Sequence, residues 1–282
     1  MHNSRLETKL NQLRQIFTES QKVLIAYSGG IDSTLVAKIA FDLLGDRALA
    51  VTANSPSLLP SDLEAAKSQA KHIGIPHQIV MTAEMANPNY TSNPVNRCYF
   101  CKSELHDTLK PLAKSLDYDY VVDGLNADDL KDYRPGIAAA KERGVRSPLA
   151  EVEVSKLEVR ILSQNLGLPW WNKPSQPCLS SRFPYGEEIT IEKLHRVGNA
   201  EQYLRDMGWL GDIRVRSLED TAKIEVPLDR IADFVTSIKL TELTEAFRTF
   251  GFKTITLDLE GFRSGKLNDA ILQRAAVSSF SS

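Results

Sequence analysis

One hexapeptide, Ser28-Gly29-Gly30-Ile31-Asp32-Ser33, constrains the fold more than any other part of this 282-residue chain. The apolar run Val23-Leu24-Ile25-Ala26-Tyr27 leads into it, and Thr34-Leu35-Val36-Ala37-Lys38-Ile39-Ala40-Phe41 leads out with helical periodicity. The stretch predicts a strand, a glycine-rich loop and a helix N-terminus. Two adjacent glycines let the backbone turn tightly and approach a ligand closely, because no Cβ intervenes. The N–H groups of the helix's first turn point at the same place, and the helix dipole favours an anion there. With the hydroxyls of Ser28 and Ser33 added, the stretch is a phosphate cradle. It is not the P-loop that ends in Gly-Lys-Ser/Thr, since no lysine follows the glycines.

The rest of the chain alternates strand and helix patterns. Residues 5–20 carry Leu6, Leu10, Leu13 and Phe17 at helical spacing. Apolar runs at 47–53, 77–81 and 119–124 predict three more strands, and helices are expected over 61–73 (Ser61 as N-cap, Glu64 completing a capping box), 102–116 and 155–166 (Ser155 and Glu158 likewise). Such alternation argues for an α/β fold, a doubly wound parallel sheet. Ligands in such sheets sit beyond the carboxyl ends of the strands, which places Ser55 near the nucleotide and turns Gly124-Leu125-Asn126-Ala127-Asp128-Asp129 toward the same crevice. Asp32 and Asp129 are then candidates to hold Mg²⁺ beside phosphate oxygens. The Asn- and Pro-rich stretch 85–96 reads as a long functional loop. A break at Leu168-Pro169-Trp170-Trp171-Asn172-Lys173-Pro174 predicts a boundary between domains over 1–170 and 171–282. The second part carries a helix over 190–207, strands near 213–216, 222–226 and 253–258, and a helical stretch to about 250, a small α+β domain. The serine-rich tail from Ser278 is expected to fray.

Hydrophobic and charged contents of 42% and 25% are those of a soluble globular protein, and the net charge of −2 gives no electrostatic reason to expect nucleic acid. Basic and acidic residues balance in both parts. The polar N-terminus and the absence of a long apolar run predict a cytoplasmic protein without membrane contact. Three cysteines, Cys98, Cys101 and Cys178, argue against a pure disulfide framework. A zinc site needs a fourth ligand, for which His106 is one possibility. A cubane iron–sulfur cluster on three thiolates leaves one iron open, able to bind sulfide. Buried, unreactive cysteines are the remaining alternative.

Ser28 to Ser33 resembles the pyrophosphate loop of the N-type ATP pyrophosphatases, and such a loop joined to a sulfur site implies a definite chemistry. A carboxylate is a poor electrophile because its oxygen leaves poorly. Attack by that carboxylate on the α-phosphate of ATP gives an acyl-adenylate, with pyrophosphate stabilised by the loop and Mg²⁺. A sulfur nucleophile then displaces AMP and leaves a thiocarboxylate.

Ser28 to Ser33 resembles the pyrophosphate loop, SGGxDS, of the N-type ATP pyrophosphatases. Together with Asp123-Gly124-Leu125-Asn126-Ala127-Asp128-Asp129 through Asp132-Tyr133-Arg134-Pro135-Gly136, Ser180-Ser181-Arg182-Phe183-Pro184-Tyr185-Gly186 and Leu257-Asp258-Leu259-Glu260-Gly261-Phe262-Arg263-Ser264-Gly265, it resembles the LarE family nearly end to end. These are ATP-dependent sulfurtransferases of nickel-pincer nucleotide cofactor synthesis. The resemblance implies that pyridinium-3,5-biscarboxylic acid mononucleotide is converted to its bisthiocarboxylic form. It implies ATP at Ser28, Gly29, Gly30, Ile31, Asp32, Ser33, Ser55, Gly124 and Asp129. Ser181, Arg182, Arg214, Arg216 and Arg263 would meet the substrate and its phosphate, and Glu201, Glu225 and Asp233 would form a metal site between subunits of a homo-oligomer. Members with Cys-x-x-Cys and a third cysteine are thought to hold a 4Fe-4S cluster carrying sulfide, so Cys98, Cys101 and Cys178 follow that type, with sacrifice of the Cys178 sulfur as the alternative. Enzymes that thiolate tRNA, amide-forming ligases of the NAD-synthetase type and a sensor that binds AMP without turnover are the rival readings.

Overall fold

The computed structural model describes residues 2–174, 177–263 and 265–268. The tail from Ser278 lies outside them. The chain opens with α1 (His2–Thr18), β1 (Val23–Ala26), α2 (Ile31–Leu44), β2 (Ala48–Asn54), α3 (Pro60–Ile73) and β3 (His77–Met81). A short α4 (Pro88–Thr91) follows, then α5 (Arg97–Ser115), β4 (Tyr120–Val122), α6 (Pro135–Glu142), α7 (Pro148–Glu151) and α8 (Lys156–Asn165). The last part holds α9 (Ile191–Asp206), β5 (Arg214–Leu218), β6 (Thr221–Glu225), α10 (Ile231–Ser237), α11 (Leu240–Thr249) and β7 (Thr254–Leu257). Two compact units result. One takes the chain up to Asn87 and again from Asn96 through α8; the other takes Pro88–Val95 and the chain from Pro177.

In the first unit four parallel strands lie in the order β3-β2-β1-β4. Side chains alternate across a strand, and β1 shows it. Val23 and Ile25 face Leu13 and Phe17 of α1, Leu35 and Ile39 of α2, Ala66 and Ala70 of α3 and Val159 and Leu162 of α8. Leu24 faces the other way, with Leu49, Val51 and Val121, onto Leu109 and Ala113 of α5. Both faces of β1 and β2 are covered, so these strands read as continuous apolar runs, as buried parallel strands do. The doubly wound sheet is present as expected. The order reverses at β1, so the segments after β1 and β4 flank the switch point.

Three local expectations change. α3 starts at Pro60 with Leu59 as N-cap and no side-chain cap bond, so Ser61 does not cap it. Proline at the first helical position presets φ and needs no N–H there. Ser155, by contrast, caps α8 with Glu158 in a complete capping box. The stretch 85–96 is not a plain loop: a 3₁₀ turn spans Glu84–Ala86 and α4 follows. α5 begins at Arg97, not near 102, so Cys98 and Cys101 stand in its first turns.

In the second unit β5 and β6 form an antiparallel pair, and β7 joins β6 in parallel. Leu194, Val197 and Leu204 of α9, Val215, Ala222 and Ile224 of the sheet, and Phe234 and Phe247 of α10 and α11 are buried. This is the small α+β unit the sequence predicts.

Candidate active site

Gly30 is the N-cap of α2, so the loop's last glycine hands the chain straight to the helix. Gly29 has φ +68° and lies so close to α3 that a Cβ there would stand 2.8 Å from Ala66 Cβ. Ser33, buried, ties the loop together: its Oγ accepts from Ser28 N at 3.2 Å, donates to Gly30 O at 3.1 Å and lies 3.1 Å from Ser28 Oγ. Ser28 itself is exposed. The Ile31 side chain is buried in the core, so only its backbone faces the cradle side. The first N–H groups of α2 have no intrahelical acceptor. Gly124, at the end of β4, packs on this loop, with an added Cβ only 2.5 Å from Ser33 N.

The acidic segment after β4 meets the loop. Asp32 Oδ1 accepts from Asn126 Nδ2 at 3.0 Å, and Asp32 Oδ2 lies 2.5 Å from Lys156 Nζ. Asn126 Oδ1 accepts from the backbone of Asp128 and Asp129, and Asp129 Oδ2 accepts from Asn126 N. Arg134 reaches Asp129 Oδ1 at 2.8 Å. Burial pushes the Asp129 carboxyl upward, against the Asn126 N–H and the Arg134 guanidinium, and the Asp32 charge adds to the rise. Both carboxylates proposed for Mg²⁺ therefore already face a cationic side chain. Lys173 Nζ reaches Gly29 O at 3.5 Å. Ser55 sits after β2, where its Oγ contacts Ser57 Oγ at 2.8 Å.

Lys156 and Lys173 escape reading from sequence. Their contacts span 124 and 144 positions of chain, which no local pattern encodes.

The acidic segment leads on to the cysteines of the first unit. Gly136 lets α6 lie against α5: a Cβ there would stand 2.8 Å from Lys102 Cγ and 3.3 Å from Cys98 O. Cys98 is exposed and Cys101 partly so, three positions apart on one helix. His106, weighed as a zinc ligand, is wholly buried, and among the described residues neither ring nitrogen has a hydrogen-bond partner. Burial, with Lys102 adding, pushes its pKa down to about 3. A neutral, enclosed imidazole does not swing out to a metal. Among the described residues no group of three or more His, Cys, Asp or Glu side chains stands at metal-binding distance.

In the second unit Cys178 is exposed and begins a 3₁₀ turn over Leu179–Arg182. Arg182, expected to meet substrate, is instead buried. Its Nε and Nη2 bond both Glu201 oxygens at 2.7 and 2.8 Å, and Nη1 donates to Pro177 O, Cys178 O and Ser181 Oγ. Its guanidinium thus holds the Cys178 turn. Glu201, expected in a metal site between subunits, is buried with it and also accepts from Val215 N. Burial works to raise the Glu201 carboxyl, and Arg182 with Val215 N–H outweighs it, leaving it below the usual carboxylate range. Within this chain both Glu201 oxygens are thus engaged by Arg182, with Val215 N–H on one of them.

Glu225, the second acid of that set, is fully buried, with Oε1 on Arg216 Nε at 2.8 Å. Asp233, on α10, is exposed. Arg214 is buried over the Phe262 ring and donates to Ile213 O; burial, then Arg182, pushes it down to about 10. Arg216 is partly exposed and also donates to Ser181 O. Arg263 is exposed. Ser181 Oγ donates to Cys178 O at 2.8 Å. The α4 segment fastens the same turn: Tyr90 Oη lies 2.6 Å from Ser180 Oγ, and Asn93 Nδ2 donates to Pro184 O.

A parallel sheet whose central strand ends in SGGxDS, with carboxylates gathered at its carboxyl end, defines a nucleotide-binding domain of the N-type ATP pyrophosphatase class. A family model described as NAD synthase matches residues 5–93, which span the loop and the strands around it. The pyridinium-3,5-bisthiocarboxylic acid mononucleotide synthase of Lactiplantibacillus plantarum is 39% identical over 98% of this chain and 99% of its own length. The chain belongs to the family of that synthase. An uncharacterized protein of Synechocystis sp. is 66% identical over 93% of this chain and 98% of its own. The cytoplasmic tRNA 2-thiolation protein 1 of Schizosaccharomyces pombe matches at 29% over only 47% of this chain. Among the described residues no helix is long and apolar enough to cross a membrane.

Proposed function

We propose that this protein is an ATP-dependent sulfurtransferase that makes pyridinium-3,5-bisthiocarboxylic acid mononucleotide from the corresponding biscarboxylic acid. One observation carries the reading: near full-length similarity to a synthase of that product coincides with an intact phosphate loop in the parallel sheet. A substrate carboxylate oxygen attacks the α-phosphorus of ATP, the bond to the bridging oxygen breaks, and pyrophosphate leaves. A sulfur nucleophile then adds to the acyl carbon, the acyl C–O bond breaks, and AMP departs with one original carboxylate oxygen. Two carboxylates require two rounds.

The N–H groups of α2 and the hydroxyls of Ser28 and Ser33 hold the departing pyrophosphate. Ser55 and Gly124 border that site, and Asp32 and Asp129 are the ligands for Mg²⁺. Arg216 and Arg263, which reach solvent, suit the substrate phosphate, since a guanidinium fork matches its geometry. Ser181, beside Cys178, completes the substrate side. Cys98, Cys101 and Cys178 all reach solvent, and their soft thiolates fit the donor set of an iron–sulfur group. A 4Fe-4S cluster held by these three would supply an iron open to sulfide, and thus the sulfur. The alternative source is the Cys178 sulfur itself.

The test is anaerobic incubation with ATP, Mg²⁺, the biscarboxylic mononucleotide and sulfide, with products followed by mass spectrometry. Successive oxygen-for-sulfur exchanges, with AMP and pyrophosphate formed in step, are expected. Pyrophosphate released with no sulfur in the product would refute the assignment. Iron and acid-labile sulfide, measured beside Cys98→Ala, distinguish the sulfur sources: iron lost in the variant supports the cluster, whereas dehydroalanine at 178 supports sacrifice.

A further inference from the structure

Within the first unit, the short strip 129–136 runs from the nucleotide end of the sheet to the cysteine helix. Its first residue, Asp129, lies close enough to Asp32 of the phosphate loop for the two charges to interact. Its last, Gly136, lies on the first turns of α5, where a Cβ would stand 3.3 Å from Cys98 O. Between these two ends Tyr133 presents a ring that is 61% exposed. We propose that Tyr133 is the platform on which the pyridinium ring of the substrate stacks while its carboxylates are activated and thiolated. The proposal rests on the reading of the protein as a sulfurtransferase that acts on a pyridinium mononucleotide.

Three observations support this role. First, the fold does not use the ring. The strip is fastened by its other groups: Arg134 reaches Asp129 at 2.8 Å, Asp129 accepts from Asn126 N, Lys131 reaches Asp128 at 2.9 Å, and Tyr133 contributes only its backbone N–H, to Asp132 Oδ1. Among the described residues the Tyr133 side chain has no ring contact and no hydrogen bond. Second, the neighbouring aromatic side chains are already engaged. Tyr99 and Phe100 of α5 pack edge to face at 5.5 Å, and Tyr99 Oη donates to Glu142 at 2.6 Å. Third, the chemistry of the ligand fits a bare phenol ring. A pyridinium ring is flat and carries a permanent positive charge, which the negative face of an aromatic side chain attracts. Stacking occupies the faces of the substrate ring and leaves its edge, where the carboxylates stand, open to phosphorus and sulfur. The 3- and 5-carboxylates exchange by a half-turn about the bond from the ring nitrogen to the ribose. A flat partner accepts either face, so one platform serves both rounds.

The test is isothermal titration of wild type, Tyr133→Leu, Tyr133→Phe and Tyr133→Trp with the biscarboxylic mononucleotide and with ribose 5-phosphate, a probe that has the sugar and phosphate without the ring. Melting temperatures are taken without ligand. Tyr133→Leu should lose about tenfold in affinity for the mononucleotide, the range of one stacked ring. It should bind ribose 5-phosphate within about twofold of wild type and melt as wild type does, since the fold makes no use of the ring. Tyr133→Phe keeps the aromatic face and should stay within about threefold of wild type for both ligands, which covers the case of a poorly folded leucine variant. Tyr133→Trp, with a more electron-rich ring, should gain a charge-transfer absorption band when the mononucleotide is added. Wild-type affinity for the mononucleotide in Tyr133→Leu would overturn the proposal, as would equal loss of both ligands. A wild type that does not bind the biscarboxylic mononucleotide would overturn the underlying reading of the protein, and the proposal would fall with it.

Discussion

A methyl group at position 124 has no space. It would sit 2.5 Å from Ser33 N and 2.9 Å from Asp32 C, both backbone atoms that cannot swing aside. Gly124→Ala should therefore push the end of β4 away from the loop, costing about 1–3 kcal/mol in denaturant unfolding and weakening ATP binding in titration. Normal stability and affinity would show that the two backbones do not meet so closely. His106 makes a different residue-scale prediction. Its pKa is pushed down to about 3 in the fold, chiefly by burial, from an ordinary value of 6.5. Between those values the unfolded chain takes up a proton that the folded one refuses, so this histidine lowers stability as pH falls below 6.5. The loss approaches about 1.4 kcal/mol per pH unit. His106→Leu should lose less stability than wild type between pH 6.5 and 5 in denaturant melts. Parallel slopes would contradict the burial of a neutral ring.

At the scale of elements, the Cys178 turn depends on partners distant in sequence. Arg182 and Glu201 form a bidentate pair with both side chains 1% exposed. Removing one partner strands a buried charge, so Glu201→Ala should cost about 3–5 kcal/mol in unfolding of the second unit. The apolar double replacement Arg182→Met with Glu201→Leu should recover most of it, and failure to recover would mean that the pair does more than neutralise itself. These two residues show where sequence reading stops. The family resemblance reads Arg182 as a substrate contact and Glu201 as a metal ligand, and no local pattern reveals that the two meet in a closed interior. The same blindness affects 88–95. Its Asn and Pro look like loop residues, but Tyr90 and Asn93 are buried through bonds to Ser180 and Pro184. By contrast, the capping box of α8 and the apolar runs of β1 to β4 are local signals, and the fold keeps them.

For the whole molecule, the α/β architecture was readable because a parallel sheet buried on both faces writes itself as apolar runs separated by helical patterns. The site was readable only in part. Ser28 to Ser33, Gly124 and Asp129 do gather at one end of one sheet, but the cations that complete this end, Lys156 and Arg134, are known only from the fold. Activation of a carboxylate at the α-phosphorus joins that end to sulfur transfer, and oxygen tracing tests it most directly. The biscarboxylic mononucleotide, labelled with heavy oxygen in its carboxylates, is turned over with ATP and the released nucleotide weighed by mass spectrometry. Passage through an acyl-adenylate requires AMP carrying one heavy oxygen. Unlabelled AMP, or ADP with labelled phosphate, would contradict it.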